Sequence, residues 1–332
     1  MSNFFVEIIS GGKSYNAGYK LINDLNRIME QRGYTPLKCR LQTGKGKFTK
    51  LRCLLSDVAA CLRAMGKDAT VLYLYPDILY YDFLFPLLRW KRHRKIAIII
   101  DINSLREGDG KLSGKDRKNL LRYDTLIVHT PAMKQLLIEN GFESGRLEVM
   151  HMFDYLTDIP NRLERENGNT ICYTGNLNKS DFLAALPEEG IKGITFNLYG
   201  AESKNIKTGE HVVYKGKFEP GNLGRVEGNW GLVWDGTALD TCSGAYGNYL
   251  KVNLPHKTCL YTAAQLPVII WEKAAMAPFI QQQGIGIAVK SIREIPEKTA
   301  AVTNEQYALM FANIKRLSRE LNEGNMLGKF LG

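Results

Sequence analysis

The sequence predicts two doubly wound α/β domains in tandem, facing each other across a cleft. Three observations point there. Short apolar runs alternate with helix-periodic stretches along the chain, the pattern of a parallel sheet covered on both faces. The alternation breaks once, at the polar, aperiodic stretch DYLTDIPNRLERENGN. At 332 residues and 45% hydrophobic, the chain is long for one core and fits two domains of about 150 residues each.

The elements follow in order. FFVEIIS reads as a strand, and a helix spans Tyr15 to Gln31 with Leu21, Leu25, Ile28 and Met29 as its apolar stripe and Gly33 as its stop. TPLKCRL, a helix over Leu51–Met65, ATVLYLYP and a helix over Ile78–Arg92 come next. KIAIIID, a short helix near Leu120, DTLIVHT, the Pro-led helix PAMKQLLIENG and RLEVMHMF complete a first domain, residues 1–158. In the second domain, residues 159–302, the strand runs are TICYTGN, GITFNLYG, HVVYKGKF, WGLVWDG, LPVIIW and GIAV. Thr303 and Gln306 form a capping box that opens a last helix, with Tyr307, Met310, Phe311, Ile314, Leu317 and Leu321 at helical spacing. Residues 303–332 form this terminal unit. Sheets of this kind take ligands at the carboxyl ends of their strands, so two facing edges predict a ligand cleft between the domains.

Charge narrows the ligand. Lys and Arg number 44 against 34 acids, a net +10 that attracts phosphates of some kind. The six cysteines form no CxxC and the five histidines no zinc spacing, so neither a metal nor a disulfide frame is expected, and reduced thiols suit a cytoplasmic protein. The opening MSNFFVEIISGGKS lacks the basic lead of a signal peptide, and no apolar run approaches a membrane span. The stretch ILYYDFLFPLLRWKRHRK joins apolar residues to the basic run Lys91–Lys95. It reads as a core helix with a basic end, or as a peripheral contact with an anionic membrane face.

Four segments carry candidate chemistry. SGGKS follows a strand and precedes a helix, but a P-loop needs glycine where Glu7 stands; Gly11 and Gly12 read instead as a tight turn that lets a ligand approach helix amides. In WGLVWDGTALDTCSGAYGNYLKVNLPHK, a strand ends at Trp234 and Asp235, and Asn253 to Lys257 opens a helix. His256 and Lys257 then stand at a positive helix end, where cations cost energy unless an anion is bound, which points to a pyrophosphate. Tyr249 and Asn253 are its neighbours. TICYTGNLNKSDFL places Gly175 and Asn176 at a matching strand end, with a helix from about Ser180. KIAIIIDINSLR puts Asp101 at a strand end as a candidate general base, with Arg106 to hold a phosphate or carboxylate. Asp101 can equally cap the next element, and Asp101-x-Asn103 is half of a DxD metal pair.

WDG, CSGAYGNYLKVNLPHK, YTAAQLPVIIW, KAAMAPFI and IGIAV together resemble bacterial GT-B glycosyltransferases of the galactofuranosyltransferase type, a group that includes streptococcal adhesin glucosyltransferases. The resemblance is dense from Thr170 to Val289. It implies two Rossmann-like domains, a C-terminal helix in residues 303–332 that packs back toward the first domain, and a UDP-sugar donor held by the second domain. It implies a glycan, glycolipid or glycoprotein acceptor on the first, inversion without metal or other cofactor, and homo-oligomers, dimeric or tetrameric. The family's turn GGxKAxxD stands here as GGKSYNAG, without the acid. On that reading Gly175, Asn176, Trp234, Asp235, Tyr249, Asn253, His256 and Lys257 hold the donor, Asp101 is the base, and Gly11, Gly12 and Arg106 face the acceptor. Two other classes stay open: a nucleotide-sugar epimerase on a similar tandem fold, and a non-catalytic subunit that only binds the nucleotide sugar. No nucleic-acid motif is present.

Overall fold

The computed structural model describes residues 2–10, 17–41, 46–66, 68–76, 93–158, 165–189, 191–203 and 206–331. The glycine turn with Gly11 and Gly12 and the helix expected over Ile78–Arg92 lie outside the described residues.

Buried parallel strands need apolar side chains on both faces, and the apolar runs become strands for that reason. The first sheet has strands β1 (Asn3–Ser10), β2 (Thr35–Leu41), β3 (Ala69–Tyr75), β4 (His93–Ile99), β5 (Thr125–Val128) and β6 (Leu147–Val149). Their spatial order is β2-β1-β3-β4-β5-β6. The second has β7 (Thr170–Gly175), β8 (Thr195–Gly200), β9 (Val212–Gly216), β10 (Trp230–Val233), β11 (Val268–Trp271) and β12 (Gly286–Val289), ordered β12-β11-β10-β7-β8-β9. All neighbouring strands pair in parallel. The winding reverses between β1 and β3 and again between β7 and β10, and a crevice opens beyond the carboxyl ends at each reversal.

Side-chain alternation divides the first sheet. Phe5, Leu72, Ile96, Ile98 and Ile127 face the helix Ala17–Gln31, and that core runs on through Met150–Tyr155 into the second domain. Phe4, Val6, Val71, Ala97 and Val128 build a separate core on the other face. The helix Asn304–Asn322 opens with the expected Thr303–Gln306 box. Its body belongs to the second domain: Tyr307 Oη donates to Asn229 O, and Ser318 Oγ to Ala263 O. Only its end crosses over. Leu321 O accepts from Tyr155 N, and Asp154 caps the short helix Asn325–Gly328 by accepting from Met326 N at 2.9 Å and Leu327 N at 2.7 Å. Gly324, at φ 71°, lies where a Cβ would be 2.9 Å from Ile28 of the helix Ala17–Gln31.

Two local expectations change. His93, Arg94 and Lys95 open β4 rather than close a helix. Strand pairing buries the His93 ring, which meets Tyr73 Oη at 3.0 Å, and Lys95 pairs with Asp124 at 3.4 Å, while Arg94 is exposed. The helix expected from Ser180 is instead a pair of 3-10 turns, Leu177–Lys179 and Asp181–Ala185, before the single turn Leu186–Glu189. No described helix is long and apolar enough to cross a membrane.

Candidate active site

The carboxyl ends of both sheets meet around one cleft of about 1350 Å³. From the first domain, Gly18, Asp101 and Arg106 line it. Most of the remaining wall comes from the ends of β7 through β10 and the helix His256–Ala263.

The second-domain wall is built at the β7/β10 crevice. Pro255 precedes the helix His256–Ala263 and provides no side-chain cap; Thr258 N turns back to Pro255 O, and the amides of His256 and Lys257, both residues of the cleft wall, are left without a capping side chain. Tyr261 of this helix pins it to the sheet: its hydroxyl accepts from Thr174 N at 2.9 Å and donates to Leu232 O at 3.1 Å. Gly231 makes room for that ring, since a Cβ there would lie 2.3 Å from it. Lys257 then reaches between the two strand ends. Its Nζ donates to Asp235 Oδ1 at 2.6 Å, Tyr173 Oη at 2.7 Å and Trp234 O at 3.2 Å. Gly175 adopts φ 140°, and a Cβ there would sit 3.0 Å from Lys257 Cε, so both backbone and space require glycine.

The structure modifies several sequence expectations. Lys257 does not present a free ammonium, because its three hydrogens are committed within its own domain and its charge is balanced by Asp235. His256 is not a cation either. Burial first, and then the nearby Lys20 charge, hold its imidazole down at about 4. Both its ring nitrogens are covered and without a protein partner, and the ring lies 5.4 Å from Tyr155 on the cleft wall. Asn253 Oδ1 is likewise covered and unpartnered on the cleft wall. Trp234 does not line the cleft: its indole packs in the core against Trp271, with Nε1 donating to Ala238 O, and only its backbone carbonyl serves the site. Asn176 lines the cleft, but its Oδ1 is used locally, accepting from Asn178 N at 3.1 Å.

On the opposite wall, the end of β4 carries Asp101. Asp116 fixes the turn that follows by accepting from Ser104 N and from Tyr75 Oη. Asp101 does not cap this element. It pairs with Arg106 at 2.5 Å, while Arg106 also reaches Glu107. Burial raises the Asp101 carboxyl above its ordinary range despite the opposing pull of Arg106. Tyr249 belongs to the second domain but points at the first. Its hydroxyl accepts from Ile102 N at 3.2 Å and bonds the Asp101 carboxylate. It is a bridge between domains rather than an open donor ligand, because its one hydrogen and one lone pair are taken.

Sequence reasoning pointed to Tyr246 beside Tyr249 but missed Tyr173, Tyr261 and Lys179. Lys179 donates to Tyr246 Oη at 2.8 Å on the cleft rim. A signal existed for Tyr173: a tyrosine inside a fully buried strand must find a polar partner for its hydroxyl.

Comparison with known proteins completes the picture. The family model described as "Glucosyltransferase 3-like, N-terminal domain" matches residues 3–152, and its companion "Glucosyltransferase 3-like, C-terminal domain" matches residues 171–332. The beta-1,6-galactofuranosyltransferase WbbI of Escherichia coli (strain K12) is 35% identical over 242 residues, 71% of this chain and 70% of that protein. Among solved structures, the lipopolysaccharide outer core galactosyltransferase WaaB in its apo form aligns over 98% of both chains at TM-score 0.57 and 10% identity. An alpha-glucosyltransferase (AGT) in complex with UDP aligns over 98% of this chain and 96% of its own at TM-score 0.54 and 10% identity. The two structural matches show the GT-B fold.

Proposed function

The chain belongs to the glucosyltransferase 3-like family of glycosyltransferases, and from that premise we propose that it moves a hexose, glucose or galactofuranose, from a UDP-sugar to a hydroxyl of a cell-surface glycan or glycoprotein glycan. The reading rests chiefly on one observation: Gly175, Asp235, Lys257 and an uncapped helix start converge at the β7/β10 crevice, across one cleft from Asp101. The UDP in the AGT complex supports the nucleotide assignment.

The chemistry follows from charge. As the bond between the anomeric carbon and the β-phosphate oxygen breaks, negative charge grows on the departing UDP. Open amides at the start of the helix His256–Ala263 stabilise it, with the positive helix end behind them. Lys257 acts by holding the two strand ends in place and by neutralising the Asp235 carboxylate that would otherwise repel the diphosphate. Asn253 and His256 line the cleft beside that helix start, where they would pack against the nucleotide sugar. The acceptor oxygen attacks from the first domain as Asp101 takes its proton, which gives inversion in a single displacement. Arg106 turns the Asp101 carboxylate, and no step is assigned to a metal.

A panel of UDP-sugars in thermal melts identifies the donor, because a bound donor raises the melting temperature. Release of UDP, with and without a glycan acceptor and with and without EDTA, then tests the reaction. Donor-dependent stabilisation with acceptor-stimulated, EDTA-resistant UDP release is expected. Stabilisation without any UDP release would mean a binding subunit only, and loss of turnover in EDTA would return Asp101 and Asn103 to a metal role.

A further inference from the structure

The carboxyl ends of β4 and β5, in the first domain, grip residues 249–254 of the second. Those residues lead directly into the helix start at His256. There are three points of attachment. Ile102 N donates to Tyr249 Oη, Thr130 Oγ1 donates to Val252 O at 2.6 Å, and Leu254 N donates to His129 Nδ1 at 3.1 Å.

His129 is the most constrained of the three. Its other nitrogen, Nε2, donates to Ile99 O at 2.9 Å. Two backbone partners of opposite sense therefore fix one neutral tautomer, with the lone pair on Nδ1 facing Leu254. The ring is 1% exposed and packs edge-on against Phe153, with centroids 5.3 Å apart. Burial holds the imidazole at about 4, so it stays an acceptor at neutral pH. Thr130 serves twice. Its Oγ1 accepts from Met133 N as the cap of the helix Pro131–Glu139, and its hydroxyl hydrogen goes to Val252 O.

We propose that His129, seconded by Thr130, is a positioning residue for the sugar-nucleotide donor: from the acceptor-side domain it sets the backbone that opens the nucleotide-side helix of the other domain. This rests on the UDP-sugar reading above. Neither side chain lines the cleft, so nucleotide affinity depends on residues that never touch the nucleotide. The same junction carries Asp101, through Tyr249. Donor grip and base position are therefore set at one seam.

Two near-isosteric replacements separate the bonds. In His129→Asn the carboxamide oxygen takes the place of Nδ1 and keeps the acceptor for Leu254 N. In His129→Gln the amide keeps the donor to Ile99 O and loses that acceptor. Each variant forfeits one buried hydrogen bond, so their thermal stabilities should fall alike. UDP affinity by calorimetry should split: about fivefold weaker in His129→Gln and near wild type in His129→Asn, the size of one hydrogen bond. Thr130→Val and Thr130→Ser provide a second pair, with only the valine variant weakened. Hydrogen exchange at the Leu254 amide should quicken in His129→Gln and not in His129→Asn. Equal UDP affinities within both pairs, or losses that merely track melting temperature, overturn the proposal. A wild-type protein that binds no UDP sinks the donor reading instead, and the seam is then decided by the Leu254 exchange rates alone.

Discussion

The ammonium of Lys257 sits within hydrogen-bond distance of a carboxylate, a phenol and a carbonyl, all in its own domain. Removing it uncovers Asp235 beside the proposed diphosphate position, so a repulsive charge appears where a neutral pair stood. Lys257→Ala should therefore weaken UDP binding by about tenfold or more, roughly 1.4 kcal/mol per decade, and unchanged affinity by calorimetry would refute the diphosphate assignment. Asp101 offers a different test. As a base it must be ionised, and burial raises its carboxyl, so activity should be lost as pH falls through a value above the ordinary carboxylate range. Asp101→Asn should lower turnover on the order of 10²- to 10⁴-fold while UDP affinity holds, and an acid limb in the ordinary carboxylate range would argue for another base. Site residues were legible in sequence where a strand end or helix start announces itself, as at Gly175, Asp235 and Lys257. Their pairings were not, because Lys257 meets Tyr173 across 84 positions of chain. Nor did the letter W at 234 reveal that its indole turns inward.

At the scale of elements, the helix His256–Ala263 owes its placement to Tyr261 and Gly231. A methyl group at position 231 would collide with the Tyr261 ring, which is fully buried and tied by its hydroxyl to both β7 and β10 and so cannot swing aside. Gly231→Ala should cost about 1–3 kcal/mol of stability and weaken UDP binding as well, because the displaced helix carries the open amides. Chemical denaturation alongside calorimetry checks both, and an unperturbed melt would show that the ring is not wedged there. The strands were readable because a parallel strand buried on both faces is apolar throughout. β4 was read late by two residues, since His93 and Arg94 look like a helix end until Tyr73 and the β3 register claim them. The helices Asn103–Glu107 and Gly244–Tyr249 are too short for a periodicity to register, and the turns after β7 follow 3-10 rather than α geometry.

For the whole molecule, His129, His256 and Asp154 couple stability to acid, two in one sense and one in the other. His129 and His256 are held near 4 in the folded chain, below the usual histidine value near 6.5. Their stabilising contribution is present above that usual value and is lost as pH falls toward 4. Asp154, raised to about 6 chiefly by burial, has the opposite sign. Its contribution is full below the usual aspartate value near 3.9 and is lost as pH rises through about 6, so it partly offsets the histidines on acidification. Asp154→Asn removes that offset. Its melting temperature should fall more between pH 7 and pH 4.5 than the wild-type value does, and equal falls would mean that Asp154 is not raised.

The docking of residues 325–328 under Asp154 and beside the helix Ala17–Gln31 also sets an order of events during synthesis. All six strands of the first sheet precede residue 150, so that sheet can form early. The far face of its helix, at Ile28, waits for a segment made roughly 300 residues later, a delay on the order of 15–60 s at ordinary elongation speeds. Until then the nascent first domain carries an uncovered apolar seam. The cleft gains its second wall earlier, because its lining is complete once Leu260 has been made.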